Sequence, residues 1–280
     1  MKDLLLAILS SSALTLFLKA FSKDSENRYG ILLGNYIACT MLAFLTAREK
    51  SVMFVLSKEA VILGILAGIF FLLGLLAIQA GVIRNGAALT SAFSKLGMTV
   101  PLLLSVLLFH ERLRLTAAAG ILLAVGAIFV VYYDPAGKGG TAASLLLFTL
   151  LANGIADSFA KLFEVFCTPA EENGYLFLVF LTAAILTLLL FLRERKTNGK
   201  TALPKTFLFG MLAGIPNYFS SLFLLHALGS LPAVFVYPVF SVGAILTVMV
   251  LSILLFREHL NTYQKAGLFL VILALILLYL

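Results

Sequence analysis

Apolar residues come in long unbroken runs, separated by short polar connectors. Ten runs are evident, at 3–21, 29–47, 60–82, 86–109, 115–133, 143–163, 174–192, 206–228, 231–256 and 262–280. About 20 apolar residues in a helix cross a hydrocarbon layer of ~30 Å. In lipid the backbone must satisfy its own hydrogen bonds, which leaves helices or closed barrels. Barrel strands alternate polar and apolar residues, and these runs do not. The pattern predicts an all-α membrane protein of ten transmembrane helices. The connectors carry turn-forming and charged residues, as in Lys23-Asp24-Ser25-Glu26-Asn27, the stretch Asp134 to Gly140, and Arg193 to Lys200. They leave no room for an extramembrane domain.

The runs repeat. Leu107 to Leu113 reads Leu-Leu-Phe-His-Glu-Arg-Leu, and Leu254 to Leu260 reads Leu-Leu-Phe-Arg-Glu-His-Leu, an offset of 147 positions. Each heptad is followed seven residues later by a glycine, Gly120 or Gly267. Phe93/Phe240, Ser94/Ser241, Ser105/Ser252 and Tyr132/Tyr279 coincide at the same offset. The expected units are residues 1–134 and 141–280, each of five helices. Five is odd, so the second unit enters the membrane from the opposite side, an inverted-topology repeat. Glu111 and Glu258 then lie on opposite faces and cannot share a site; they read as hinge or capping residues. The first run has Lys2 and small residues at Ser10, Ser11 and Ser12, like a signal peptide. However, Phe17 to Phe21 matches Phe159 to Phe163, which argues for a retained helix.

Composition agrees. Hydrophobic residues make up 62% of the 280 and charged ones 12%, about half the usual share in soluble domains. The formal charge of +7 sits mainly in connectors, so it reads as charge near lipid headgroups; no contiguous basic face for nucleic acid is present. Cys39 and Cys167 suggest neither a disulfide framework nor a metal site. With the N-terminus inside, seven Lys and Arg fall in inside connectors and twelve outside, which favours an outside N-terminus by the positive-inside rule.

The motif Leu-Phe-x-Glu-Arg/His-Leu before an apolar helix with an early glycine resembles the end of the EamA repeat of drug/metabolite transporters. Lys19 and Lys161, closing the first helix of each unit, are similar to that family too. The resemblance covers nearly the whole chain in two copies. It implies ten helices around a central cavity that opens alternately to either side, lined by the first, third, fourth, sixth, eighth and ninth helices. It also implies both termini in the cytoplasm, against the charge count. The short four-helix relatives carry a membrane-embedded Glu in their first helix; here that helix offers Ser11, Ser12 and Thr15, so proton coupling through such a Glu does not carry over.

Polar residues inside the spans are the candidate chemistry, because a charge at mid-bilayer costs about 2.5–3.5 kcal/mol or more and normally faces a cavity or a partner. Lys95 is the most central cation, with Thr90, Ser91 and Ser94 on its helical face. It reads either as a cavity lysine for an anionic group or as half of a helix-locking pair. Asp157 lies on a stripe with Asn153 and Lys161. It reads either as the local partner of Lys161 at i, i+4 or as a carboxylate for a substrate amine or proton. A Lys95–Asp157 bridge faces a depth difference, ~14 against ~22 Å by helical rise. Asn217 and Tyr218 follow Pro216 in the eighth span, and Tyr237 precedes Pro238 in the ninth. Prolines within spans predict interruptions, which often mark transport sites. These tyrosines either contact a solute or anchor and pack.

No catalytic set is present: His110, His226 and His259 are scattered, and there is no P-loop, His-Glu-x-x-His or Gly-x-Ser-x-Gly. The expectation is a secondary transporter of a small polar or amphipathic metabolite, not an enzyme. It is expected in a bacterial cytoplasmic membrane, with no cofactor, a lipid bilayer around it, and a monomeric or homodimeric state. The alternatives are a membrane-embedded enzyme or a non-transporting partner subunit. Within transport they are an anion-recognising carrier centred on Lys95 and a cation exporter centred on Asp157.

Overall fold

A computed structural model describes residues 1–21, 28–47, 55–100, 115–132, 142–198, 204–231, 233–257 and 259–279. Within them the chain forms ten α-helices and no strand. They are α1 (Lys2–Phe21), α2 (Arg28–Thr46), α3 (Lys58–Arg84), α4 (Ala87–Leu96), α5 (Leu115–Tyr132), α6 (Ala143–Phe166), α7 (Glu172–Asn198), α8 (Pro204–Ser230), α9 (Ala233–Phe256) and α10 (Thr262–Tyr279). A 3-10 turn, Pro169–Glu171, precedes α7. Seven of these helical segments are long and apolar enough to cross a membrane; α5 and α10 contribute shorter apolar stretches. The heptad at 107–113 and Glu258 lie outside the described residues. Arg257, inside the second heptad, ends α9 in the left-handed region at φ 53°, where helices commonly terminate. Asn261 and Gln264 then cap α10 reciprocally, at 3.0 and 2.7 Å.

The helices pack where the sequence is small. α2 lies along α8, α3 along α6 and α7, α1 along α8 and α9, α4 between α6 and α9, and α5 along α10. At the α2–α8 contact a Cβ on Gly210 would run into the Ile31 carbonyl, and one on Gly214 would stand 2.7 Å from Ala38 Cβ. At the α3–α7 contact, a Cβ on Gly68 would stand 2.6 Å from the Val179 carbonyl oxygen. Water gives no drive between helices inside a bilayer, so such close backbone approach carries much of the association. Leu5, Leu9, Leu122, Leu254 and Phe269 point outward and are well exposed, as lipid-facing side chains should be.

Two ties fix the ends of α3. At its start, Ser57 caps the helix by accepting from Ala60 N–H at 3.2 Å. Ser57 N–H also donates to Glu171 Oε1 at 2.6 Å, and Thr168 N–H donates to Glu171 Oε2 at 3.0 Å. The helical stretch from Pro169 to Thr197 is 29 residues long, more than the ~20 a bilayer needs, so the polar turn holding Glu171 projects beyond the hydrocarbon. These N–H donors pull its carboxyl well below the ordinary 4.5, to about 2. At the other end, the Asn85 side chain donates to Ala142 O at 3.4 Å and accepts from Ala142 N–H at 2.8 Å. Gly86 follows at φ 83°, a conformation that only glycine adopts easily. This tie holds the start of α4 beside the start of α6.

Candidate functional site

From the Asn85–Ala142 tie, α4 and α6 run side by side. They meet again twelve residues along each chain, at Gly97 and Gly154. A Cβ on Gly97 would stand 2.7 Å from Leu150 O and 2.9 Å from Gly154 N, so the backbones are in contact there. α4 ends at this point. Gly97 N–H bonds back to Ser94 O at 3.2 Å and Met98 N–H to Lys95 O at 3.3 Å, the tighter i to i+3 pattern that closes a helix. The expected fourth span, 86–109, is therefore broken at Gly97. The interruption expected in the ninth falls elsewhere: α9 is helical from 233 to 256, through Pro238, and α8 continues through Pro216.

Lys95 and Asp157 flank this crossing. Lys95 sits in the last turn of α4, where the helix dipole favours a cation. Its ammonium lies 4.1 Å from the centre of the Phe240 ring on α9, a cation–π contact that replaces part of its hydration. The charges of Lys95 and Asp157 act on each other, yet among the described residues the two make no direct ion pair, and the Asp157 carboxylate accepts no hydrogen bond. Lys161, one turn beyond Asp157, is not among the charges acting on it, so the local i, i+4 pairing is not what holds this carboxylate. Lys95 and Asp157 are both partly buried.

The other expected residues fall into two groups. Asn153 is one turn before Asp157; its Nδ2 donates to Thr149 O at 2.8 Å, and Gly74 of α3 packs against its amide. Ser94 is half-buried beside Lys95, while Ser91 is buried. Thr90 is fully buried against Gly81, with its hydroxyl lacking a hydrogen-bond partner. These five candidates, Lys95, Ser91, Ser94, Asn153 and Asp157, thus belong to α4 and α6. Asn217 and Tyr218 are elsewhere, buried where α8 meets α2. Asn217 Nδ2 donates to Asn35 Oδ1 at 2.8 Å. The Tyr218 hydroxyl is hydrogen-bonded to Thr46 Oγ1, and its ring meets Phe180 and Phe219 edge-on. Tyr237 lies on α9, with its side chain outside the described residues. A pocket of about 350 Å³ opens at Arg84, Ala142 and Leu145, beside the Asn85 tie and away from the charged pair.

Lys19 also has a defined role: its ammonium donates to Val82 O at 2.8 Å, in the last turn of α3. On α1, Ser12 donates to Ile8 O at 2.8 Å and reaches Ala244 O of α9 at 3.4 Å. The partner that sequence reasoning missed is Phe240. Its repeat counterpart is Phe93, two residues before Lys95, and that duplicated pair was the available signal.

Ten packed helices among the described residues, with seven segments long and apolar enough to cross a membrane, define a multi-pass membrane protein. The model of the EamA-like transporter family matches residues 141–280, half of the chain, and the protein belongs to that family of membrane transporters. An uncharacterised protein of Haemophilus influenzae is 25% identical, over all of this chain and 98% of its own. A solved crystal structure of a protein shares the fold at a TM-score of 0.66, with 15% identity, 99% of this chain covered and 97% of that one.

Proposed function

We propose that the protein is a secondary transporter that moves a small polar or amphipathic solute across the cytoplasmic membrane of a bacterium by alternating access. One observation carries this reading: a lysine and a carboxylate lie on the neighbouring helices α4 and α6, partly buried and, among the described residues, not directly paired. Each charge placed there costs about 2.5–3.5 kcal/mol or more. A merely structural pair would recover that cost by direct contact and hydrogen bonds. Charges left without direct pairing instead suit a solute site.

Two five-helix units, 1–134 and 141–280, related by an inverted repeat fit the same reading. If each helix is exchanged for its counterpart five places on, the α2–α8 packing becomes α7–α3, α3–α6 becomes α8–α1, and α4–α6 becomes α9–α1. All of these contacts occur. The break of α4 at Gly97, beside Lys95, supports a transport site as well, since discontinuous helices often hold one.

The test is flux in proteoliposomes, with a panel of radiolabelled amino acids, sugars, nucleosides and organic cations. The expected result is saturable uptake or counterflow of at least one class. Absence of flux for every class, together with turnover of a lipid by the purified protein, would replace this reading with a membrane-embedded enzyme.

A further inference from the structure

We infer that the pocket between the end of α3 and the start of α6 binds the phosphate headgroup of an anionic phospholipid. The pocket holds about 350 Å³ and is lined by Ala80, Ile83 and Arg84 of α3 and by Ala142, Ser144 and Leu145 of α6. No acidic residue is among them. Arg84 is the last residue of a 27-residue apolar helix, longer than the hydrocarbon needs, so its guanidinium reaches the headgroup level. It is exposed, and among the described residues it makes no ion pair. Nor is it needed for the carbonyls that end α3. The Lys19 ammonium donates to Val82 O at 2.8 Å, and Asn85 N–H donates to Gly81 O at 2.7 Å. A free guanidinium fork matches the oxygens of a phosphate. On the opposite wall α6 begins without a side-chain cap. Its N-terminal partial charge therefore adds to that of Arg84, and the exposed Ser144 hydroxyl adds a donor.

The surface that continues from the pocket is apolar, which favours a lipid over a soluble anion. Ile83 is 56% exposed on α3. On α6, Leu147, Phe148 and Leu151 follow Ser144 at i+3, i+4 and i+7, along one helical face, and they are 40%, 45% and 43% exposed. A free phosphate uses only the polar end of this surface. A phospholipid uses both ends, its phosphate on Arg84 and its acyl chains along the α6 stripe. Basic pockets between transmembrane helices bind anionic headgroups in this way. A choline headgroup brings its own cation towards Arg84 and the α6 N-terminus, so the site should select net negative charge. A lipid seated here touches both α3 and α6, and so braces the Asn85–Ala142 tie beside it.

The test titrates the full chain, in a neutral detergent, with phosphatidylglycerol, phosphatidylcholine, glycerol 3-phosphate or inorganic phosphate. Native mass spectrometry gives the lipid affinity, and the unfolding midpoint reports ligands that bind the folded state. We expect phosphatidylglycerol to be retained more tightly than phosphatidylcholine and to raise the midpoint. Arg84→Gln should weaken its retention about fivefold, the effect of one basic residue at an anionic surface. Arg84→Lys should keep part of the lost affinity. Ser144→Phe leaves every charge in place but fills the pocket, and should weaken retention as well. Arg195→Gln removes another exposed arginine, in the last turn of α7, and should change nothing. Equal retention of the two lipids overturns the inference. So does an Arg84→Gln variant that behaves like Arg195→Gln, because the lipid would then sit elsewhere. If glycerol 3-phosphate or inorganic phosphate raises the midpoint as far as the lipid at the same concentration, and Arg84→Gln removes the effect, the pocket is a site for soluble anions and the lipid is overturned.

Discussion

Asn35 is fully buried, its Oδ1 accepts from Asn217, and its own Nδ2 has no partner. Asn217→Leu would leave the Asn35 carbonyl only the weak Cys39 thiol as a donor, at 3.8 Å. A buried polar group left without its partner costs about 1–3 kcal/mol, so this variant should lower the unfolding midpoint. Adding Asn35→Leu should recover part of the loss, because both polar partners are then gone. Simple addition of the two losses in the double-mutant cycle would sink the idea of a coupled pair. The cluster shows what sequence could and could not say about single residues. Lys95 and Asp157 stand out by charge in apolar runs. Asn217 and Tyr218 stood out equally, yet their hydrogen bonds go to Asn35 and Thr46, partners more than 170 positions away that no local spacing reveals. Glu171 is a further case. Its folded-state value lies below the ordinary one, so its tie to Ser57 contributes stability above pH 4.5 and loses it as pH falls through about 2. Glu171→Gln should flatten the acid side of the stability curve, read as unfolding midpoint against pH. An unchanged acid limb would show that the tie contributes nothing.

The elements themselves were largely legible. Runs of apolar residues gave helix ends within a few residues, because the hydrocarbon thickness sets span length directly. What the runs hid was the break in the fourth span. Gly97 stands four residues before Pro101, which has no N–H to give the Gly97 carbonyl, so a break there was open to sequence reasoning; the close approach of the α6 backbone to Gly97 was not. Pro216 and Pro238 misled, because in α8 and α9 they are accommodated within continuous helix. The Gly97 contact can be tested against a control. Gly97→Ala should force α4 from α6 and destabilise by about 1–3 kcal/mol, as overpacking does. A Cβ on Gly126 of α5 meets nothing within 4 Å. Gly126→Ala should therefore be neutral or stabilising, by up to about 1 kcal/mol from helix propensity. Equal effects at the two positions would mean the α4–α6 crossing is not close-packed.

For the whole molecule, the two ends of α3 raise a mechanical question. Its 27 residues span ~40 Å by helical rise, so the Ser57–Glu171 and Asn85–Ala142 ties sit near opposite membrane faces. With the units proposed above, 1–134 and 141–280, both ties would join the first unit to the second. A carrier whose units rock against each other must loosen the tie on the face that opens. The Glu171 carboxylate holds the N–H groups of Ser57 and of Thr168, the neighbour of Cys167, so Ser57→Cys should form a disulfide with Cys167 under oxidation. Burial pushes the Cys167 thiol up, and the thiolate is the reacting form. Cross-linking should therefore run faster at pH 9 than at pH 7. Cys39 is buried and is not expected to compete. Once locked, the protein should still bind its solute but lose flux, and a reductant should restore it. Wild-type protein under the same oxidation should keep its flux. Full flux through the locked protein would mean this face never opens at the Ser57 tie, and the moving contact would have to be sought at Asn85 instead.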